Sequence, residues 1–187
     1  DPDVFLHYEQ EDHFQCYPFE RNPSIGAHVH LLDGLRACQG YEHHGRMVNK
    51  ALVFYRQQLY NAYWFDKWHI SPYYLLSHAI IATIGRDNTL ARDCVNWIID
   101  TQREDGTWGY FCSTSEETAY CMQALIAYHR DVAPLDESLF HHAAKSLYER
   151  YMSQYHPALW IEKCLYTPEH IVRSAILSAL WMYESLC

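Results

Sequence analysis

Residues 102–109, which read QREDGTWG, separate two helical patterns of different kinds. An amphipathic helical pattern ends just before this stretch, and an apolar helical pattern begins just after it. Gly106 can adopt a positive φ, the Gln102 amide can bond the open groups of a helix end, and the Trp108 indole can stack over the joint. We therefore predict that these three residues form a structural turn between two packed helices.

Two kinds of helical pattern alternate along the chain. Patterns that are apolar around most of the helix begin near residues 25, 71, 115 and 168. This is a repeat of roughly 45 to 50 residues, within the range of helical-pair repeats. The patterns between them are apolar on one side only, and the first contains Val48, Ala51, Leu52, Tyr55 and Leu59. No segment shows the alternation of a strand ladder.

Capping residues indicate where several helices begin. Ser71 precedes Pro72, which suits the first helical position, and Thr114 with Glu117 resembles a capping box. Asn88 is predicted to cap the one-sided helix that follows. Each of these starts lies where one kind of pattern gives way to the other.

The alternation predicts an all-α fold, an α/α barrel in which an inner ring of buried helices is wrapped by an outer ring of amphipathic ones. A closed barrel of this kind needs more helix pairs than the sequence provides. We therefore expect residues 1–187 to form one partial barrel domain whose missing N-terminal part is an additional partner.

Composition excludes some functions and favours others. Apolar residues make up 49% of the 187 positions, which is enough for a sizeable core. A net charge of -9 argues against nucleic acid or an anionic membrane surface as a partner. No apolar run approaches the roughly 18 residues of a membrane span. The seven cysteines lack any C-x-x-C spacing, which favours reduced thiols and a cytoplasmic location. The 13 histidines do not show the spacing that is typical of zinc ligands.

Four segments carry a resemblance to a known family. They are residues 3–17, residues 20–24 (ERNPS), residues 67–74 (KWHISPYY) and residues 160–166 (WIEKCLY). Together they resemble the β domain of class II, protonation-initiated diterpene cyclases of the copalyl diphosphate synthase type, with Glu162 where glycine is usual. These cyclases belong to the terpene cyclase/prenyltransferase superfamily, whose barrel repeats carry Q-x-x-x-G-x-W motifs.

The resemblance implies cyclisation of a linear C15 or C20 prenyl diphosphate, with the diphosphate retained and Mg2+ as a diphosphate-associated cofactor. It also implies a general acid, the middle Asp of a D-x-D-D motif upstream of Asp3. Residues 1–4 read DPDV and lack the last Asp of that motif. We therefore expect this chain to be inactive alone. The sequence leaves open whether a γ domain accompanies it.

Aromatic residues in two loops are the first candidates for the site. The resemblance places Trp160 and Tyr166 at the cavity, where Tyr166 is the catalytic candidate because it could contact a carbocation or orient a water that removes the final proton. Trp68, Tyr73 and Tyr74 occupy the corresponding loop one repeat earlier. Ring faces stabilise positive charge without reacting with it. Packing of both loops against the barrel rim is the alternative.

Charged and titratable residues complete the candidate set. Lys163 and Arg21 are candidate diphosphate contacts, with ordinary surface charge as the alternative. His30 lies on the first buried helix, where a core histidine is the expected role and a base the alternative.

Two other functions fit the same fold. A zinc-dependent prenyltransferase β subunit shares the barrel and would need an Asp, a Cys and a His that converge on zinc. A non-catalytic barrel that serves as a binding or interaction module would show prenyl-diphosphate binding at most.

Overall fold

The structure is a computed structural model that describes residues 1–58, 64–152 and 155–186. Leu59 of the first predicted one-sided helix and Cys187 lie outside the described residues. The α-helices are α1 (Ile25–Gly34), α2 (His44–Gln58), α3 (Pro72–Thr83), α4 (Asn88–Asp100), α5 (Ser115–Asp131), α6 (Ser138–Arg150) and α7 (Glu169–Glu184). The 3-10 helices are Pro2–Tyr8 and Leu35–Cys38, and the strands are β1 (Trp160–Ile161) and β2 (Leu165–Tyr166).

The helices form two layers, as the alternating patterns predict. Helices α1, α3, α5 and α7 pack side by side in that order and form the inner layer. Helix α2 covers α1, α4 covers α3 and α5, and α6 covers α5 and α7. The predicted all-α barrel architecture is therefore confirmed, with each inner helix beginning within about one residue of its predicted start.

Burial of the inner helices depends on their place in the layer. Helices α3 and α5 are buried along nearly their whole length because each has an inner neighbour on both sides. Helix α7 is buried on one side only, and Ile171, Leu177 and Trp181 are exposed on the other. Helix α1 is the opposite end of the layer and likewise exposes one side. Helix α7 thus has apolar residues on a side that no described part of this chain covers.

Side-chain caps explain why the helices begin where they do. The Ser71 hydroxyl accepts a hydrogen bond from the Tyr73 amide, and Thr114 accepts one from the Glu117 amide at 3.1 Å, so both predicted caps are confirmed. The prediction for Asn88 is wrong: Asp87 is the cap of α4 and accepts from the Leu90 amide. Asn88 is already helical.

The turn at residues 102–109 joins α4 to α5. Gly106 has a φ of +77° as predicted, and the Trp108 ring is fully buried. The Trp108 indole, rather than the predicted Gln102 amide, binds a helix-end group, because its Nε1–H donates to the Ile98 carbonyl at 2.8 Å. The Gln102 amide donates instead to the carbonyls of Gly106 and Leu139, which ties the turn to α6.

A short antiparallel hairpin precedes α7, with β1 paired to β2. Two-residue strands are too short to show alternation, so no sequence pattern predicts them. Backbone bonds from Ile161 to Trp68 and from Ile70 to Leu159 hold the hairpin beside the loop before α3. Of the helices in the described residues, none has the length and hydrophobicity needed to cross a membrane.

Candidate functional site

A groove of about 450 Å3 lies along the inner layer between α3, α5 and α7, under the hairpin. Tyr74, Tyr120 and Trp160 line one side, and we call these three residues the aromatic wall. The polar residues that line the groove are His78, Gln123, His170, Ser174 and Ser178. No Lys, Arg, Asp or Glu is among the described residues that line the groove.

The aromatic wall is a set of edge-to-face contacts. The Tyr74 ring lies 5.4 Å from that of Tyr120 at 80°, and 5.2 Å from that of Trp160 at 68°. Such arrangements are favourable because the positive edge of one ring meets the negative face of another. Each ring comes from a different element, α3, α5 or β1, so packing of the inner layer assembles the wall.

A buried carboxylate lies behind the wall. Glu116 is 1% exposed in the first turn of α5, and its Oε1 accepts a hydrogen bond from Trp160 Nε1–H at 2.7 Å. The Tyr120 hydroxyl and His69 Nε2 lie 3.4 and 3.5 Å from the same oxygen. His69 is fully buried, and its ring stacks on Tyr74 at 4.4 Å.

The tautomer of His69 follows from its backbone contact. The Ser71 amide donates to His69 Nδ1 at 3.1 Å, so Nδ1 carries no proton. The proton of the neutral ring is then on Nε2, which faces Glu116. His69 is thus a further donor towards the carboxylate.

Sequence reasoning missed Glu116 and His69. The available signal was the pair of glutamates at 116 and 117 that opens an apolar helix, since two carboxylates at that position need partners. From the sequence, only Glu117 of this pair has a predicted role, as part of a capping box.

Burial favours the uncharged forms of three groove residues, His78, Tyr74 and Tyr120. Desolvation lowers the pKa of His78 to about 4 and raises the pKa of Tyr74 to about 12. Desolvation likewise raises the pKa of Tyr120. These three side chains therefore offer neutral faces and dipoles to a ligand.

Three of the predicted site residues lie at or beside the groove. Trp160 and Tyr74 line it directly. His30 is hydrogen-bonded to the Tyr74 hydroxyl at 2.9 Å. The expectation of a core histidine is wrong, because His30 is exposed at the end of the inner layer where no further inner helix covers α1. It lines a separate, mainly apolar cavity of about 350 Å3.

The other aromatic candidates are not among the described residues that line the groove, although Tyr166 is paired with Trp160 across the hairpin. Tyr73 points towards the outer layer, where its ring packs 5.1 Å from Trp97 of α4. Adjacent helical residues point about 100° apart, so Tyr73 and Tyr74 cannot both face the groove. Trp68 is 40% exposed beside Lys67, and Tyr166 is 43% exposed on β2.

The two candidate diphosphate contacts are exposed side chains. Lys163 lies in the turn of the hairpin, and Arg21 lies in the loop before α1. The structure does not bring them together with the groove lining. Their role stays a prediction. Within the described part of the chain, no three His, Cys, Asp or Glu side chains are grouped as metal ligands.

Comparison with known proteins identifies the family. A family model of the squalene-hopene cyclase C-terminal domain matches residues 22–128, more than half of the chain. The chain belongs to this family. It is 40% identical to a type B diterpene cyclase of Mycobacterium tuberculosis, over 98% of this chain and 37% of that protein. It is 35% identical to an ent-copalyl diphosphate synthase of a Streptomyces species, over 95% of this chain and 36% of that protein.

A solved structure shares the fold of this squalene-hopene cyclase family member. The ent-copalyl diphosphate synthase from Streptomyces platensis superposes with a TM-score of 0.87 at 28% identity, over 98% of this chain and 38% of that chain. The predicted resemblance to diterpene cyclases is confirmed. The chain spans little more than a third of the length of these relatives.

Proposed function

We propose that this chain forms part of the β domain of a class II terpene cyclase, which cyclises a linear C15 or C20 prenyl diphosphate by protonation and retains the diphosphate. The aromatic wall carries the proposal. Its three rings border a groove whose described lining contains no Lys, Arg, Asp or Glu. A desolvated cation gains about 0.5 to 2 kcal/mol over such a ring face. Relatives named diterpene cyclase and copalyl diphosphate synthase support the same reaction class.

The general acid is proposed to come from a part of the barrel outside this chain. The sequence contains no D-x-D-D motif. Although burial acts to raise it, hydrogen bonds from Arg46 and Lys50 lower the pKa of Glu9. A hydrogen bond from His13 lowers the pKa of Asp12. Both carboxylates therefore hold their charge, whereas protonation of an alkene requires a neutral acid.

In this proposal the groove holds the hydrocarbon rather than the diphosphate. Its described lining supplies ring faces and neutral polar groups but no cationic side chain. Exposed Lys163 and Arg21 are kept as candidate diphosphate contacts. Mg2+ is proposed to accompany the diphosphate, as the resemblance implies. The described residues offer no cluster of acidic ligands for it, so we assign no step to the metal.

Product analysis tests the proposal. The protein from the complete reading frame that contains this chain is incubated with geranylgeranyl or farnesyl diphosphate and Mg2+, and products are identified by mass spectrometry before and after phosphatase treatment. We expect a cyclised product that still carries its diphosphate. Recovery of both substrates unchanged would contradict the proposal. If the substrates bind but are not converted, the result would favour a non-catalytic binding module.

A further inference from the structure

The contacts of Glu116 are uneven between its two carboxylate oxygens. Oε1 is close to the donors of Trp160, Tyr120 and His69. Oε2 is buried and has no hydrogen-bond partner among the described residues. A buried, unpaired carboxylate oxygen costs free energy, so packing alone would favour an amide or an apolar side chain at this position.

The described surroundings of Glu116 provide hydrogen-bond donors and a helix N-terminus but no Lys or Arg. It lies in the first turn of α5, where the helix dipole stabilises anions. His69 donates from a neutral tautomer and brings no full positive charge. Within the described residues, the carboxylate is paired with neutral donors and forms no salt bridge with Lys or Arg. Its charge is therefore not cancelled by a neighbouring cation.

We propose that Glu116 is a positioning residue that makes the groove selective for lipophilic cations, through its hydrogen bond to the Trp160 indole. The bond fixes the plane of the ring, and donation to a carboxylate increases the negative charge of the indole face that borders the groove. The ligand class is a hydrophobic group that bears a positive centre, such as an alkylammonium ion. Only the identity of the natural ligand, a carbocation, rests on the proposed function.

Two probes of equal chain length and opposite charge separate cation selectivity from simple hydrophobic binding. Hexyltrimethylammonium and hexane-1-sulfonate are titrated calorimetrically into the protein from the complete reading frame that contains this chain, in the absence of any substrate. We expect the ammonium to bind about tenfold more tightly than the sulfonate, which is within the range of cation–π energies. Equal affinity for the two probes would overturn the proposal.

Variants locate the origin of the preference. Glu116→Gln keeps an oxygen for the Trp160 N–H but removes the charge, and we expect the preference to disappear. Glu169→Gln is the matched control, because Glu169 is an exposed carboxylate in the first turn of α7, next to the groove residues of that helix. Glu169→Gln is expected to retain the preference. An equal loss in both variants would show a bulk charge effect and overturn the proposal.

A second route remains if Glu116→Gln does not fold, as circular dichroism would show. Trp160→Phe keeps a ring face but removes the N–H donor, and we expect it to lose most of the preference. Where Glu116→Gln does fold, the losses of preference in the two single variants are expected to be non-additive in the double variant, since both changes affect one hydrogen bond. A full preference in Trp160→Phe would overturn the proposal. Because no substrate is converted, failure here is distinct from failure of the cyclase assignment.

Discussion

Trp160 donates its indole N–H to Oε1 of Glu116 at 2.7 Å, and this bond joins the β1–β2 hairpin to the first turn of α5. The adjacent Glu117 has a different task. Its carboxylate accepts from the Ser71 hydroxyl, the Tyr110 amide and the Thr114 hydroxyl. Neighbouring glutamates thus serve the aromatic wall and the helix start separately.

Glu117→Ala is expected to lower the free energy of unfolding by about 3 kcal/mol or more, because it leaves several buried donors without their acceptor. Guanidinium denaturation measures the change. Exposed Glu104 offers the control, and Glu104→Ala should stay within about 0.5 kcal/mol of the unaltered protein. A loss below about 1 kcal/mol in Glu117→Ala would contradict the network we describe.

Alanine substitutions at Gly106 and Gly85 distinguish the cost of backbone strain from the cost of a steric clash. Both have a φ of +77°, but a Cβ at Gly106 would lie 2.2 Å from the Cβ of His142, whereas a Cβ at Gly85 meets no atom within 4 Å. Gly85→Ala is therefore expected to cost about 1 to 2 kcal/mol from left-handed strain alone. Gly106→Ala should cost several kcal/mol, which thermal unfolding can compare directly. Equal costs would show that the turn yields to the added methyl group.

His28 is expected to make the fold sensitive to acid. Its Nδ1–H donates to the Ser24 carbonyl at 2.7 Å, and its Nε2 accepts from the Phe14 amide at 2.8 Å, so protonation breaks the second bond. Burial lowers the pKa of His28 from 6.5 to about 4. The pKa of His28 is therefore lower in the folded protein than in the unfolded chain. Neutral His28 stabilises the fold fully above pH 6.5, and this stability is lost as the pH falls towards 4.

Denaturation midpoints at pH 7.5, 5.5 and 4.5 check this expectation, with His28→Gln as the comparison. We expect the midpoint of the unaltered protein to fall more steeply with acid, because glutamine has no proton to gain. Parallel pH dependences of the two midpoints would show that His28 does not cause the acid sensitivity.

The sequence was sufficient for the fold because periodicity reports burial. Alternation of one-sided and all-round apolar patterns predicted the two layers, and the turn containing Gly106 and Trp108 indicated how one pair joins. Burial of α7 was overestimated, because an apolar pattern shows which residues suit a core but not whether this chain supplies the neighbour.

The site was less accessible from sequence because it depends on side-chain direction across several elements. Tyr73 and Tyr74 were equivalent candidates, yet helical geometry sends one to α4 and the other to the groove. Glu116 was missed because its partners Trp160 and His69 lie more than 40 positions away. Local spacing carries no information about such contacts.

The most direct test of the account compares Trp160→Ala with Trp68→Ala in the protein from the complete reading frame. Trp160 lines the groove, whereas Trp68 is a half-exposed tryptophan outside it on the neighbouring loop. Turnover of geranylgeranyl and farnesyl diphosphate and the identity of the products are measured. We predict that Trp160→Ala lowers turnover about tenfold or more, or redirects the product, while Trp68→Ala stays close to the unaltered protein. Unchanged rate and product in Trp160→Ala would contradict the claim that this groove is the cyclisation cavity.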